Sequence, residues 1–331
     1  MDNTKSKMTK EVTIHDIIKT YETISPYVHT TPVFTNLTLD HLVGRKVFFK
    51  AENLQKTGAF KARGALNAVL SLKSRDPCVE GVVTHSSGNH GEALAWASKI
   101  AQVECIVVVT EDTPKTKCQA IKGYGAELVF CRSSPSARTE TCDQISNEKK
   151  FPYIPSSDHY DIIAGQGTIA VEFLKQVPEL DAILVPVSGG GMASGIAIAA
   201  KAIKPNIKVF LVEPEGKMCE QCLRTGKRLW PNPPQFLNTI ADGLKLQQLG
   251  KLTWPIILDL AEKEVFSVTD KEIIKAMKFV FERMKLVIEP AAGTGVAAVM
   301  SERLAAMDPD MKNIGVILCG GNVDIDNLPW Y

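Results

Sequence analysis

The feature that most restricts how this chain can fold is an alternation. Short apolar, β-branched runs recur along it: "KVFFK" 46–50, "GVVTHS" 81–86, "CIVVVT" 105–110, "AELVFC" 126–131, "AILVPVS" 182–188, "KVFLVEP" 208–214 and "IGVILCGG" 314–321. Stretches with helical spacing of apolar residues fall at 90–103, 115–123, 164–175, 192–203, 269–287 and 293–306. Strand followed by helix, repeated, predicts an α/β fold with mostly parallel sheets and helices on both faces. The runs at 81–86, 105–110 and 126–131 are about 20–25 residues apart, which suits a compact βαβαβ unit. After them, "CRSSPSARTE" and "FPYIPSSDHYD" bring proline, serine and charge, and a second series of strands begins at 182. The expected organisation is two doubly wound α/β domains. Residues 1–74 and 158–331 form the larger, 75–157 are inserted as the smaller, and the active site lies in the cleft.

Charge and hydropathy exclude several classes of function. The 331 residues are 45% hydrophobic, enough for sizeable cores. Lys and Arg number 38 against 37 Asp and Glu, without a long basic run, so nucleic acid is not an expected partner. Nor does any apolar stretch approach the roughly 18–20 residues of a membrane span. The start, "MDNTKSKMTKEV", is polar and lacks an apolar signal core, so a cytoplasmic protein is expected. Eight cysteines occur, several in strand-like runs, and buried free thiols explain them better than a disulfide framework. Cys219-Glu-Gln-Cys222 has C-x-x-C spacing, but no second pair or nearby histidine completes a zinc site. Ordinary helix residues are the simpler reading.

Ligands of such sheets bind beyond the carboxyl ends of the strands, and three of those loops are unusual. In "LVPVSGGGMASGIAIAAKAI" a strand runs into Ser188, Gly189, Gly190, Gly191 and Met192, then into an apolar helix. Bare backbone N–H groups at a helix N-terminus suit an anion. The spacing matches neither the nucleotide P-loop nor the dinucleotide fingerprint. A phosphate monoester is the better ligand; a tight strand–helix turn that merely needs glycine is the plain alternative. In "VVTHSSGNHGEALAWASKI", Ser86, Ser87, Asn89 and His90 surround Gly88 and Gly91. Amides and hydroxyls there suit a carboxylate, Asn89 a ring oxygen, and Ser87 proton exchange with a substrate carbon. For His90 alone, a histidine satisfied by backbone is the commoner case, and for the serines, helix capping. A phosphate monoester beside a lysine pocket suggests pyridoxal phosphate, whose aldehyde needs a lysine amine. "TGAFKARGA" offers Lys61 next to Phe60, among small residues that permit close backbone approach. The third loop, "ILCGGNVD", ends a strand with Cys319, placed to face a ring nitrogen or simply a core thiol.

"QKTGAFKARGALNAV", "THSSGNHGEALAWASK", "AGQGTIAVEFL", "VPVSGGGMASGIAIAAKAIKP", "NTIADGLK", "ERMKLVIEPAAGTGVAAV" and "LCGGNVD" occur in that order. Together they resemble the fold-type-II pyridoxal-phosphate enzymes, tryptophan-synthase-β-like in fold, and within them the serine racemases and serine/threonine dehydratases. The resemblance spans residues 12–325 or so. It implies a cofactor bound at Lys61, with phosphate on Ser188, Gly189, Gly190, Gly191 and the Met192 amide. It implies Asn89 on the ring hydroxyl, Cys319 at the pyridine nitrogen and Glu289 near the ring. Ser86, Asn89, His90 and Arg138 would handle substrate carboxylates. The related dehydratases usually read "SAGN" where this chain reads "SSGN", so the resemblance favours a racemase with Lys61 and Ser87 as its two proton-transfer groups. Racemases of this type also eliminate water from serine. A homodimer is expected from the same likeness.

The chain departs from that pattern in places. The family's divalent cation, Mg²⁺ or Ca²⁺, would fall on Glu213, the Lys217 backbone carbonyl and Cys219, where a thiol replaces a carboxylate. The Lys217 ammonium is an alternative to the metal. At the family's nucleotide site Lys56 and Thr57 match, but Asn36, Leu37 and Glu92 replace two serines and a glutamine, so an ATP effector is not expected. Leu246 stands in place of a substrate-binding serine. "IPSSDHYD" carries Ser156 and Ser157 where related aspartate racemases have a serine-rich loop, which places Ser157 near substrate. Serine is the expected substrate, with aspartate, or dehydration of serine or threonine without racemisation, as alternatives.

Overall fold

A computed structural model describes residues 11–230 and 235–330. Among these residues, nine strands form two sheets. The larger takes β1 (Val33–Phe34), β2 (Lys46–Lys50), β6 (Ala182–Pro186), β7 (Lys208–Pro214), β8 (Val265–Val268) and β9 (Asn313–Ile317), in the spatial order β1-β2-β9-β6-β7-β8. The smaller takes β3 (Gly81–His85), β4 (Glu104–Thr110) and β5 (Glu127–Cys131) in sequence order. Only β1 pairs antiparallel; every other pairing of these strands is parallel, with registers such as Val47 opposite Ile314, Leu211 opposite Val265 and Val82 opposite Cys105. All five residues of β6 are buried, as expected of a central strand covered on both faces.

Glycine contacts bring three helices close against one another. Helix Lys61–Arg75 crosses helix Tyr160–Gln176 where Gly64 meets Gly165; a Cβ on Gly165 would lie 2.5 Å from the Gly64 Cα. Gly167 in turn meets Gly195 of helix Gly191–Ile203, where a Cβ on Gly167 would lie 2.8 Å from the Gly195 carbonyl. Three helices thus stack at a separation that no larger residue at these points allows. That stack sets the helix of the glycine loop in register with the lysine segment.

Several local expectations change. In "KTGAFKARGALNA", which had no assigned element, Lys61 is the first residue of a fifteen-residue helix. Segment 314–321 is regular strand only to Ile317: the Leu318 N–H makes a last bond to the Lys50 carbonyl, and Gly320 then forms an isolated bridge to Ala59. The helix expected over 269–287 is regular only to Phe279. It continues as a π-helical turn, Val280–Met284, and stops at Lys285 in the left-handed region, φ 60°. The helix expected over 293–306 is two, Pro290–Val299 and Glu302–Ala305, the second capped by the Ser301 hydroxyl. The polar stretch after β5 forms helix Pro135–Lys149, since the Ser134 hydroxyl caps the Ala137 N–H. Helices Ile14–Ile24, Leu37–Val43 and Thr253–Leu260, and strands β1 and β8, were not foreseen, whereas Cys219-Glu-Gln-Cys222 does lie in a helix, Cys219–Thr225.

Candidate active site

A cleft of about 890 Å³ opens between the carboxyl ends of the two sheets' strands. The three loops picked out in the sequence all line it, together with the Lys61 segment and residues from other elements.

The glycine loop links β6 to helix Gly191–Ile203. Gly190 caps that helix at φ 96°, a conformation that side chains rarely adopt. A Cβ there would come within 2.8 Å of Thr253 Oγ1, and one on Gly191 within 2.6 Å of the Ser157 carbonyl. Ser157 therefore backs the loop, and a Cβ on Gly189 would strike its hydroxyl. First-turn amides have no carbonyl inside the helix to bond, so they face the cleft as anion donors.

Lys61 lies opposite. Its Nζ donates to the Ser156 carbonyl at 2.6 Å and sits 5.1 Å from the centre of the Phe60 ring. Burial lowers its amine to about 8, against a smaller opposing pull from Cys319 and Glu289. The backbone stitches this segment to the third loop: the Phe60 N–H bonds the Cys319 carbonyl at 3.1 Å, and the Gly321 N–H bonds the Gly58 carbonyl at 2.9 Å. Cys319 is buried, and burial first, then Glu289, pushes its thiol well up, so it stays protonated.

Asn89 opens helix Asn89–Ala101, and its Nδ2 donates to both Glu289 oxygens at 2.9 and 3.0 Å. Asn322 Nδ2 donates to Asn89 Oδ1 at 2.9 Å and to the Thr57 carbonyl at 2.8 Å. Burial pushes the Glu289 carboxyl up to about 7, with Asn89 opposing. Ser86 and Ser87 line the cleft beside it. The His90 side chain takes the commoner of its two readings, satisfied by backbone. Its Nε2 is 3.0 Å from the Ile154 carbonyl and must donate to it, while burial takes the ring down to about 3. The remaining Nδ1 is a buried acceptor without a partner, so the side chain cannot bind a carboxylate. Arg138 reaches the cleft from helix Pro135–Lys149, with its guanidinium 5.5 Å from the Phe236 ring and its buried Nε unpaired.

The model for the family described as "Pyridoxal-phosphate dependent enzyme" matches residues 24–320. The chain belongs to that family. It is 46% identical over 317 residues to a serine racemase of Dictyostelium discoideum, covering 96% of this chain and 97% of that one. The crystal structure of a pyridoxal 5'-phosphate-dependent aspartate racemase superposes with a TM-score of 0.95 at 60% identity, covering 98% and 99% of the two chains. Maize serine racemase superposes with a TM-score of 0.91 at 39% identity, covering 96% of this chain and 95% of that one.

The groups in the cleft fit the family's cofactor: an amine, a glycine loop packed too tightly from behind for any Cβ, and a protonated thiol. The divalent-cation set fits poorly. Glu213 Oε2 accepts the Cys219 N–H at 3.2 Å, and the Lys217 ammonium bonds the Val187 and Ser188 carbonyls. Hard cations want about six or more oxygens, and among the described residues no group of three His, Cys, Asp or Glu is arranged to hold one. At the nucleotide positions, Glu92 is buried with its carboxyl raised to about 7 by burial and accepts from Asn322, while Asn36 caps helix Leu37–Val43.

Sequence reasoning missed Asn322, Phe236 and the Lys117–Asp242 ion pair, 2.6 Å across the cleft mouth. It also missed the ion cluster behind Lys61. Arg63 is fully buried and pairs with Glu52 and Glu172, each at 2.8 Å, and Lys50 joins Glu172 at 2.9 Å. A lone arginine in the small-residue run "ARGALNAV" was the available signal, since such a charge is either exposed or fully paired.

Proposed function

We propose that this enzyme is an amino-acid racemase that interconverts L- and D-serine and, as a side reaction, eliminates water from serine to give pyruvate and ammonia. The supporting observation is that Lys61 and Ser87 enter one cleft from separate elements, the lysine from a helix start and the serine from the loop after β3. Pyridoxal phosphate, when bound, supplies an aldehyde for the substrate amine and a ring that withdraws electrons as the α proton leaves. The amides of Gly189, Gly190, Gly191 and Met192, with Ser188, bind its phosphate. Lys61, with its amine near neutrality, removes the α proton from one face. Ser87 returns a proton to the other. Ser86 and the amides at the start of helix Asn89–Ala101 take the α-carboxylate. Cys319 faces the ring as a neutral thiol and adds no charge to it. Glu289 orients the Asn89 amide. Elimination shares the first proton removal; the β-hydroxyl then takes a proton and leaves as water, and hydrolysis of the released enamine in solution gives pyruvate and ammonia.

A second reading, aspartate as substrate, is favoured by Arg138. Its unpaired Nε and its place in the cleft suit a second carboxylate, and 60% identity to an aspartate racemase supports it. The neighbouring Leu246 offers no polar group to a serine hydroxyl. Chiral analysis and keto-acid detection with L-serine, D-serine and L-aspartate decide between the two. Ser87→Ala is expected to cut racemisation about 100-fold while sparing elimination; equal loss of both sinks the assignment. Arg138→Ala is expected to raise KM for aspartate about tenfold or more and leave serine nearly unchanged, whereas equal effects remove the aspartate reading. The proposal includes a cytoplasmic homodimer, checked by sedimentation, with 75–157 moving as a small domain.

A further inference from the structure

The glycine loop is held from outside by a buried ammonium. Lys217 follows β7 in a turn where Gly216 takes φ 91°, and it is 6% exposed. Its Nζ donates to the Val187 carbonyl at 2.8 Å and to the Ser188 carbonyl at 2.9 Å. The next carbonyl, Gly189, accepts from Thr253 Oγ1 at 2.7 Å and from the Gly250 N–H at 3.0 Å. Three successive carbonyls are thus fixed by groups outside the loop. In a trans peptide the N–H points opposite its carbonyl. Holding the carbonyls of 187, 188 and 189 therefore aims the N–H groups of Ser188, Gly189 and Gly190 the other way.

The companions of Lys217 suit an ammonium and not a metal. Glu213, 2% exposed, has one oxygen engaged by the Cys219 N–H, and residue 219 offers a buried thiol. We propose that Lys217 is a tethered cation: a positioning residue that orients the phosphate-binding amides and makes cofactor retention independent of divalent metal. This rests on reading residues 188–192 as the phosphate cradle.

The test titrates pyridoxal phosphate into the protein and follows cofactor absorbance and Tm. With wild type, EDTA, Mg²⁺ and Ca²⁺ are expected to change the cofactor Kd less than about twofold and to leave Tm unmoved. Lys217→Ala and Lys217→Met are expected to raise the Kd about tenfold or more. At saturating cofactor, kcat is expected to fall less than about threefold. Methylammonium is expected to restore binding in Lys217→Ala, which leaves a space, and not in Lys217→Met, which fills it. A divalent cation that tightens wild-type binding about tenfold overturns the proposal, and that arm needs no folded variant. Cofactor affinity unchanged in both variants overturns it equally. Wild type that takes up no pyridoxal phosphate overturns the functional reading along with it.

Discussion

Lys61 and Arg63 stand two residues apart on one helix, and both side chains point into the protein, yet they live in opposite electrostatic settings. Arg63 meets two carboxylates, Glu52 and Glu172, and shares the second with Lys50. Lys61 meets a backbone carbonyl, an aromatic ring and a protonated thiol, with Glu289 held near neutrality. Pairing raises the Arg63 guanidinium further above its ordinary range, against the cost of burial. Among the described residues the Lys61 amine has no full counter-charge in contact, so desolvation brings it down to about 8. Burial alone does not decide what a cation does. Carboxylate partners hold the charge of a buried cation, whereas neutral partners alone leave its proton easier to lose, as at Lys61. The paired cation also serves Lys61 as a strut, because Arg63 ties the first turn of the helix to Glu52 and to helix Tyr160–Gln176, and so fixes where Lys61 starts.

Three changes break or sharpen that contrast. The largest effect is expected from Lys61→Ala, which is expected to abolish racemisation and elimination together, by about 1,000-fold or more, with far-UV circular dichroism unchanged. Retained elimination shows that another group removes the α proton. Next is Arg63→Met, which leaves Glu52 and Glu172 buried without their shared partner. Urea denaturation is expected to show about 3–5 kcal/mol of lost stability; a loss under about 1 kcal/mol shows that the cluster is not a strut. The smallest is Glu289→Gln, and it depends on pH. The folded carboxyl is raised from 4.5 to about 7, so the folded state binds the extra proton between those values and stability falls as pH rises through that window. The amide carries no such penalty. Apoprotein with Glu289→Gln is therefore expected to match wild type near the ordinary carboxyl value of 4.5 and to exceed it by up to about 3 kcal/mol at about pH 8. A difference that is flat with pH refutes a neutral Glu289.

The legible part of the site was the part with strong local chemistry. "SGGGM", "SSGNHG", "GAFKARG" and "LCGGN" each have a composition that ordinary strand–helix turns do not require, and the cleft brings all four together. His90 takes the backbone-satisfied form that was its commoner reading, but its partner, the Ile154 carbonyl, lies 64 residues away and could not be named from the sequence. Phe236 and Asp242 gave no signal, since an aromatic ring or a carboxylate in a loop has many uses. Where 269–287 stops being regular was hidden for a related reason: apolar spacing continued past Lys285, while the chain turned to carry Glu289 into the cleft.

Taken alone, the sequence determined the alternation of strands and helices, the anion loop and the lysine, because these follow from neighbouring residues and their periodicity. The tertiary structure decided which charges are paired with carboxylates and which are held by neutral groups. Lys50, Lys61, Arg63 and Lys217 are all cationic in the sequence, and each is distinguished by what packs against it from a distant segment: Glu172 for the first, the Ser156 carbonyl for the second, Glu52 with Glu172 for the third, and the Val187 and Ser188 carbonyls for the fourth. A cation's protonation and reach depend on local dielectric and on the charges within a few ångströms of it, and only folding sets these.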